Sequence, residues 1–116
     1  MSDQLAANNL SVLNNPDQSS LVKLPQDIFK KASSYFDKKE VKKINLAYCV
    51  ALEAHEGQLR RDGSPYISHP VEVASILLDL KVDLESVCAG FMHDVLEDCD
   101  VQKTTLENIF FYFHLL

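Results

Sequence analysis

Residues 88–98, with the sequence CAGFMHDVLED, place ionisable side chains among apolar ones. His93 and Asp94 are adjacent, and Glu97 and Asp98 follow one helical turn later. On a helix the directions of His93 and Asp94 differ by about 100°, so both side chains can reach one ion lying between them. Burying such groups costs roughly several kcal/mol unless they are paired or bind a metal, and imidazole and carboxylate suit a divalent cation. The segment could therefore carry a metal site, or it could form a solvated, partly exposed cluster near the end of a helix.

Two further histidines differ in how well they suit such a site. His69 stands just before Pro70, at a junction between a loop and a helix, and would add a ligand if it folded back onto His93 and Asp94. His55 is better suited to anchoring a loop or a neighbouring helix, because it ends an apolar helical face.

The elements that must position these residues are predicted to be helices. Apolar residues recur at spacings of three and four, and Pro, Asp and Gly mark the boundaries. The predicted helices are 25–36, 38–55, VEVASILLDL after Pro70, and 84–97 capped by Asp83, followed by a segment that begins with a Thr104/Glu107 capping box. A loop with a turn at Asp62-Gly63 occupies residues 56–70. No segment alternates as a strand does, so the predicted fold class is all-α.

Two of these helices have faces that can be assigned to the core. In the helix over residues 38–55 this face consists of Val41, Ile44, Tyr48, Ala51 and His55. In the helix after Pro70 the core candidates are Val71, Ala74, Ile76, Leu77 and Leu80.

The composition indicates one soluble domain. Residues 1–24, rich in Asn, Gln, Ser and Asp, are predicted to be a flexible leader, and residues 25–116 to form the domain. A net charge of −6 gives no reason to expect nucleic acid or an anionic membrane as a partner. No apolar run approaches the roughly 18–20 residues of a membrane span. Three cysteines without a C-x-x-C pair indicate reduced thiols, so we expect a cytoplasmic protein.

Three motifs, taken together, resemble a known family. Residues 54–77, AHEGQLRRDGSPYISHPVEVASIL, contain A-H-x-G-Q-x-R and G-x-P-Y-I-x-H-P, and residues 89–98 contain H-D-x-x-E-D. Their order and spacing resemble the N-terminal hydrolase domain of the RelA/SpoT homologues, the bifunctional enzymes that make and degrade the alarmone (p)ppGpp. The resemblance covers roughly residues 44–109.

The resemblance implies a helical domain of the HD superfamily that binds a manganese ion. It implies that the ion is bound by His69, His93 and Asp94. It also implies that Glu97 and Asp98 order and activate the attacking water, and that Arg60 and Arg61 contact the guanine nucleotide. The implied reaction is hydrolysis of the 3′-pyrophosphate of (p)ppGpp to GDP or GTP and pyrophosphate.

The sequence departs from the family pattern in several places. Asp62 and Cys99 replace residues that are common in the family, and the segment FFYFHLL near Leu116 replaces an F-G turn and a Gly-Val-Thr-Lys segment. The family's fourth metal ligand, an Asp in a later helix, and its synthetase domain have no counterpart. We therefore expect an HD domain that is incomplete on its C-terminal side. Two alternatives to a hydrolase are a non-catalytic remnant that binds guanine nucleotide, a protein partner or itself, and a helical module without either role.

Overall fold

The computed structural model describes the backbone of residues 22–98 and the side chains of residues 22–95. Within this range the chain forms four helices: α1 (Gln26–Ser33), α2 (Lys38–Ala54), α3 (Ser68–Asp79) and α4 (Leu84–Asp98). Over the same residues the strand-like pairing is limited to one isolated antiparallel bridge, between Leu59 and Pro65. The predicted all-α class is confirmed. The segment predicted to begin with the Thr104/Glu107 capping box lies outside the described residues.

The start of α2 is fixed by a reciprocal capping box. The Glu40 backbone N–H donates to Asp37 Oδ1 at 2.8 Å, and the Asp37 N–H donates to Glu40 Oε1 at 3.0 Å. These bonds satisfy two donors that have no partner inside the helix, and a negative charge at this end suits the helix dipole. They explain why the helix begins at Lys38, as predicted, although four lysines lie in its first turns.

Helix α3 begins at Ser68, two residues before the predicted start at Pro70. Pro70 therefore lies within the first turn, where its missing N–H is not needed for an intrahelical bond. The consequence for the candidate site is that His69 is a helical residue with a fixed backbone, and not the last residue of a loop.

The core lies between the four helices, with Ile28 and Ala32 contributed by α1, and the predicted inner face of α2 is confirmed. Val41, Ile44, Ala51 and His55 are buried, and Tyr48 is half-buried with its ring edge-on to Phe91 of α4. Phe91 is the largest of the fully buried side chains.

The predicted inner face of α3 is wrong in part. Ala74 is buried, and Val71 and Leu77 are partly buried against the core, as predicted. Ile76 and Leu80, however, are 60% and 68% exposed, whereas Pro70 and Leu78, which were not predicted, are buried. Residues four apart share a helix face, whereas a residue two positions away points to the opposite side. In α3 a narrow polar stripe, formed by Ser68, Glu72, Ser75 and Asp79, has apolar residues on both flanks, so the pattern alone did not determine which flank faces the core.

A glycine allows α3 and α4 to approach closely. A Cβ atom added to Gly90 would lie 2.8 Å from Leu77 Cδ1, closer than side-chain atoms pack. The absence of a side chain at Gly90 therefore lets the two helices that carry His69 and Asp94 lie against each other.

The chain just before α1 is attached to α2. The backbone N–H groups of Lys23 and Leu24 donate to the buried Asn45 Oδ1 at 2.7 and 3.2 Å, and Leu24 is buried. The last residues of the predicted leader are thus part of the packed domain, and residues 1–21 lie outside the described range. In the part of the chain that is described, no helix has the length and apolar character needed to cross a membrane.

Candidate functional site

The carboxylate of Asp94 is the centre of the candidate site. It is only 6% exposed, and the imidazoles of His69 and His93 both contact it. His69 Nε2 lies 3.5 Å from Asp94 Oδ2, and His93 Nδ1 lies 3.0 Å from Asp94 Oδ1. The Tyr66 hydroxyl donates a hydrogen bond of 3.0 Å to Oδ2. We call these four residues the Asp94 cluster. It unites the two histidines and the aspartate that the resemblance implied as metal ligands.

The first turn of α3 and the middle of α4 position the cluster. The His69 N–H donates to the Tyr66 carbonyl at 2.9 Å, which closes the turn that leads into α3. The Tyr66 ring lies on that of His55, with centroids 4.7 Å apart, and meets the His69 ring edge-on at 5.9 Å. His55 Nδ1 is 2.9 Å from Gln58 Oε1, so this histidine anchors the loop that follows α2, as its sequence position predicted.

The loop between α2 and α3 is folded into a short hairpin over residues 58–66. The Tyr66 N–H donates to the Gln58 carbonyl at 2.9 Å, and the Arg60 N–H donates to the Ser64 carbonyl at 2.8 Å. The Asp62 carboxylate accepts hydrogen bonds from the hydroxyl and the N–H of Ser64, and these two bonds lower the pKa of the Asp62 carboxyl. The predicted turn at Asp62-Gly63 is confirmed, and Gly63 has φ +88°, a conformation that favours glycine.

The two arginines implied as nucleotide contacts differ in their surroundings. Arg60 is half-buried, and its Nη1 lies 3.1 Å from Glu72 Oε1 and 3.2 Å from the hydroxyl of Ser68. Because Ser68 precedes His69 in the first turn of α3, these contacts hold the guanidinium against the turn that carries an implied metal ligand. Arg61 is exposed at the hairpin tip.

The two implied catalytic acids are described only in their backbone. Glu97 and Asp98 lie in the last turn of α4, one turn after the histidine and aspartate of the cluster. Their side chains lie outside the described part of the structure, so their role stays a prediction.

The donor atoms of the cluster suit a divalent metal in type and in pairwise separation. Two ligands that each lie about 2.1 Å from an ion, at angles of 90–110°, are roughly 3.0–3.5 Å apart. The separations of His69 and His93 from Asp94 fall in this range. The imidazoles approach different oxygens, however, and among the side chains of residues 22–95 no three His, Cys, Asp or Glu are arranged to hold one ion. A metal site therefore requires reorientation within the cluster, which the His93 side chain, 61% exposed, has the space to provide.

Tyr66 is the member of the cluster that the sequence analysis did not assign. It lies three residues before His69 within the motif G-x-P-Y-I-x-H-P, in the turn that the His69 N–H closes on the Tyr66 carbonyl. Its contact with Asp94 joins residues 28 positions apart, so local sequence signals did not indicate it.

Comparison with known proteins identifies the class. The HD domain family matches residues 47–111, more than half of the chain, and the chain belongs to this family. Its sequence is similar to that of the RelA/SpoT type of HD protein, as the three motifs indicated.

Three relatives illustrate this similarity. A guanosine-3′,5′-bis(diphosphate) 3′-pyrophosphohydrolase of Vibrio cholerae is 47% identical over 68% of this chain and 11% of its own length. The bifunctional (p)ppGpp synthase/hydrolase SpoT of Escherichia coli is 44% identical over 66% of this chain and 11% of its own length. A rice protein described as a putative chloroplastic GTP diphosphokinase is 48% identical over 69% of this chain and 9% of its own length. The chain thus spans about a tenth of the length of these relatives.

Proposed function

We propose that this chain takes part in the turnover of the alarmone (p)ppGpp in the stringent response, as a metal-dependent 3′-pyrophosphohydrolase. The observation that carries the proposal is the convergence of His69 and His93 on the Asp94 carboxylate, from two different helices. The similarity to relatives named as guanosine-3′,5′-bis(diphosphate) 3′-pyrophosphohydrolases also supports the proposal. The products are GDP or GTP and pyrophosphate.

Within this proposal, His69, His93 and Asp94 hold Mn²⁺. A bound ion would supply two effects there: activation of water at neutral pH and neutralisation of negative charge on the phosphoryl oxygens. The residues of the chain provide the binding geometry. Asp94 contributes a negative charge that is largely shielded from solvent, which strengthens its attraction for a cation.

Glu97 and Asp98 are assigned to the attacking water. Along the backbone of α4, Glu97 follows His93 by four residues and Asp98 follows Asp94 by four, a spacing of about one helical turn. A carboxylate in this position can accept the proton of the water as it attacks the 3′-phosphate.

Arg60 and Arg61 are assigned to the nucleotide. A guanidinium recognises phosphate oxygens through paired N–H groups and can also stack on a base. Arg60 is directed toward the first turn of α3 by Ser68 and Glu72, so the phosphate that it binds lies near His69. To bind that phosphate, Arg60 must exchange its contact with Glu72 for one with the substrate.

We propose the cytoplasm as the location of this activity. The thiols of Cys49 and Cys88 are free, as is typical of a reducing compartment.

The experiment is a titration of the purified chain with Mn²⁺, combined with an assay of ppGpp hydrolysis and a nucleotide-binding measurement. Metal-dependent release of pyrophosphate that is lost in His93→Ala supports the hydrolase. The control is Glu85→Ala, which changes an exposed residue in the first turn of the same helix and should leave turnover unchanged. Binding of metal or nucleotide without turnover contradicts the hydrolase and supports the non-catalytic alternative, and absence of both supports a helical module.

A further inference from the structure

Tyr66 makes the closest described contact to Asp94 that comes from outside α4. Its hydroxyl lies 3.0 Å from Asp94 Oδ2, whereas the nearest nitrogen of His69 lies 3.5 Å from the same oxygen. The other oxygen, Oδ1, faces His93 at 3.0 Å. The two carboxylate oxygens therefore have different partners: Oδ2 has Tyr66 and His69, and Oδ1 has His93.

We propose that Tyr66 is a positioning residue for the Asp94 cluster: its hydroxyl holds the Asp94 carboxylate in place beside His69, so that the three ligands can bind a divalent cation once the exposed His93 ring reorients. This inference rests on the proposed metal site and adds to it a residue that is not itself a ligand.

The hydroxyl can act in this way because the tyrosine is held at several points. Its backbone N–H is bonded to the Gln58 carbonyl and its carbonyl to the His69 N–H, both at 2.9 Å. Its ring is packed on His55 and meets His69 edge-on. A phenol has few rotatable bonds, so fixing the backbone and the ring leaves the hydroxyl little freedom. A rigid donor orients its acceptor, whereas a mobile donor would follow it.

The position of Asp94 makes the contact matter. The carboxylate is 6% exposed, so water contributes little to holding its orientation. In such surroundings a hydrogen bond to an ionised oxygen is stronger than it is in water. Carboxylate ligands of metals are commonly held by partners of this kind, and loss of such a partner typically lowers metal affinity by about 10–100-fold.

Tyr66→Phe tests the proposal, because it removes the hydroxyl and keeps the ring against His55 and His69. Tyr35→Phe is a matched control: Tyr35 is also half-buried, and its hydroxyl donates at 2.9 Å to the Val82 carbonyl, outside the cluster. Both variants lose one hydrogen bond from a tyrosine, so both should lose a similar amount of thermal stability. Only Tyr66→Phe should change the cluster.

The primary readout is the affinity of the whole chain for Mn²⁺, measured from the electron paramagnetic resonance signal of the free ion. We expect Tyr66→Phe to raise the Kd about 10-fold or more, and Tyr35→Phe to leave it at the wild-type value. In the hydrolysis assay, Tyr66→Phe should need more Mn²⁺ for half-maximal activity, with kcat largely restored at saturating Mn²⁺.

Two results would overturn the positioning role, and they can be told apart. If the wild-type chain binds Mn²⁺ and Tyr66→Phe binds it equally well, the cluster does not depend on the hydroxyl, while the proposed metal site remains. If the wild-type chain binds no Mn²⁺, the metal site itself is wrong and the role of Tyr66 toward it fails as well.

Discussion

His69 and Asp94 are in contact, with Nε2 and Oδ2 3.5 Å apart, although they lie on different helices and far from each other in the sequence. The contact joins the first turn of α3 to α4, and the proposed metal site depends on it. Asp94→Asn tests it, because the amide keeps the shape of the side chain and an oxygen acceptor for Tyr66 but removes the negative charge. We expect Mn²⁺ affinity to fall by more than the roughly 10–100-fold that follows loss of an outer partner, as measured by isothermal titration calorimetry.

Asp79→Asn is the control for this change, since it removes the same charge from an exposed carboxylate at the end of α3. It should leave Mn²⁺ affinity unchanged. Equal affinities in Asp94→Asn and the wild-type chain would show that Asp94 is not a ligand.

The ion pair between Arg60 and Glu72 predicts an effect on nucleotide affinity. Glu72 lies 3.1 Å from the guanidinium and is exposed, so its carboxylate competes with a substrate phosphate for Arg60. Exposed pairs of this kind contribute about 0–1 kcal/mol, which corresponds to at most roughly a fivefold change in affinity. We expect Glu72→Gln to bind ppGpp up to about fivefold more tightly at low salt, with the difference shrinking as salt is added.

The measurement is a fluorescence titration with a labelled guanine nucleotide at several salt concentrations. Glu85→Gln is the control, because it changes the net charge of the chain by the same amount at an exposed position of α4. The comparison separates the effect of losing the Arg60–Glu72 ion pair from the effect of net charge. Weaker binding in Glu72→Gln than in Glu85→Gln would mean that Glu72 holds Arg60 in its binding orientation and does not compete for it.

Asn45 is predicted to be important for stability. Its side chain is fully buried in α2, and its Oδ1 accepts the N–H groups of Lys23 and Leu24. Asn45→Ala removes this acceptor, so the backbone N–H groups of Lys23 and Leu24 lose their hydrogen bond to the side chain. Each lost bond costs about 1–3 kcal/mol where the N–H group stays shielded from water. We expect the free energy of unfolding in urea to fall by about 2 kcal/mol.

Lys42→Ala, an exposed change on the same helix, should alter the unfolding free energy by less than about 0.5 kcal/mol. If the two variants unfold at the same urea concentration, the attachment of residues 23–24 to α2 contributes nothing to folding.

The thiols of Cys88 and Cys49 are predicted to react slowly in the folded chain. Burial raises the pKa of Cys88 to about 12, and burial likewise raises the pKa of Cys49. A raised pKa lowers the fraction of thiolate, the reactive form, so at pH 8 only roughly one Cys88 in ten thousand is ionised. Labelling with iodoacetamide, followed by peptide mass spectrometry, should modify both residues slowly in buffer and rapidly in denaturant. Cys88 is partly buried, and its rapid modification without denaturant would contradict the raised pKa of its thiol.

The sequence predicted the parts of the fold that follow from local signals. The start of α2 was predictable because the capping box at Asp37 and Glu40 involves residues close in sequence. The turn at Asp62-Gly63 was predictable for the same reason, since only glycine readily adopts its backbone conformation. The inner face of α2 followed from helical spacing of apolar and polar residues.

The remaining features depend on contacts between elements. Ile76 and Leu80 are exposed because α3 presents the Pro70, Ala74 and Leu78 side to the core. A helix with apolar residues on both flanks of a narrow polar stripe gives no sign of this choice. The hydrogen bond between Tyr66 and Asp94 and the ion pair between Arg60 and Glu72 depend on how the hairpin packs against α3 and α4. The motifs implied which histidines and aspartate matter, but only the packing identifies the tyrosine that joins them.

The hairpin over residues 58–66 has a consequence for ligand capture. Backbone hydrogen bonds already join its two arms: the Tyr66 N–H donates to the Gln58 carbonyl, and the Arg60 N–H donates to the Ser64 carbonyl. If Arg60 and Arg61 bind a nucleotide as proposed, the nucleotide would have little backbone entropy to remove, because this ordering takes place during folding. Adaptation to a ligand is therefore left to side-chain rotamers, chiefly those of Arg60 and Arg61, and recognition here should proceed with an almost immobile polypeptide backbone.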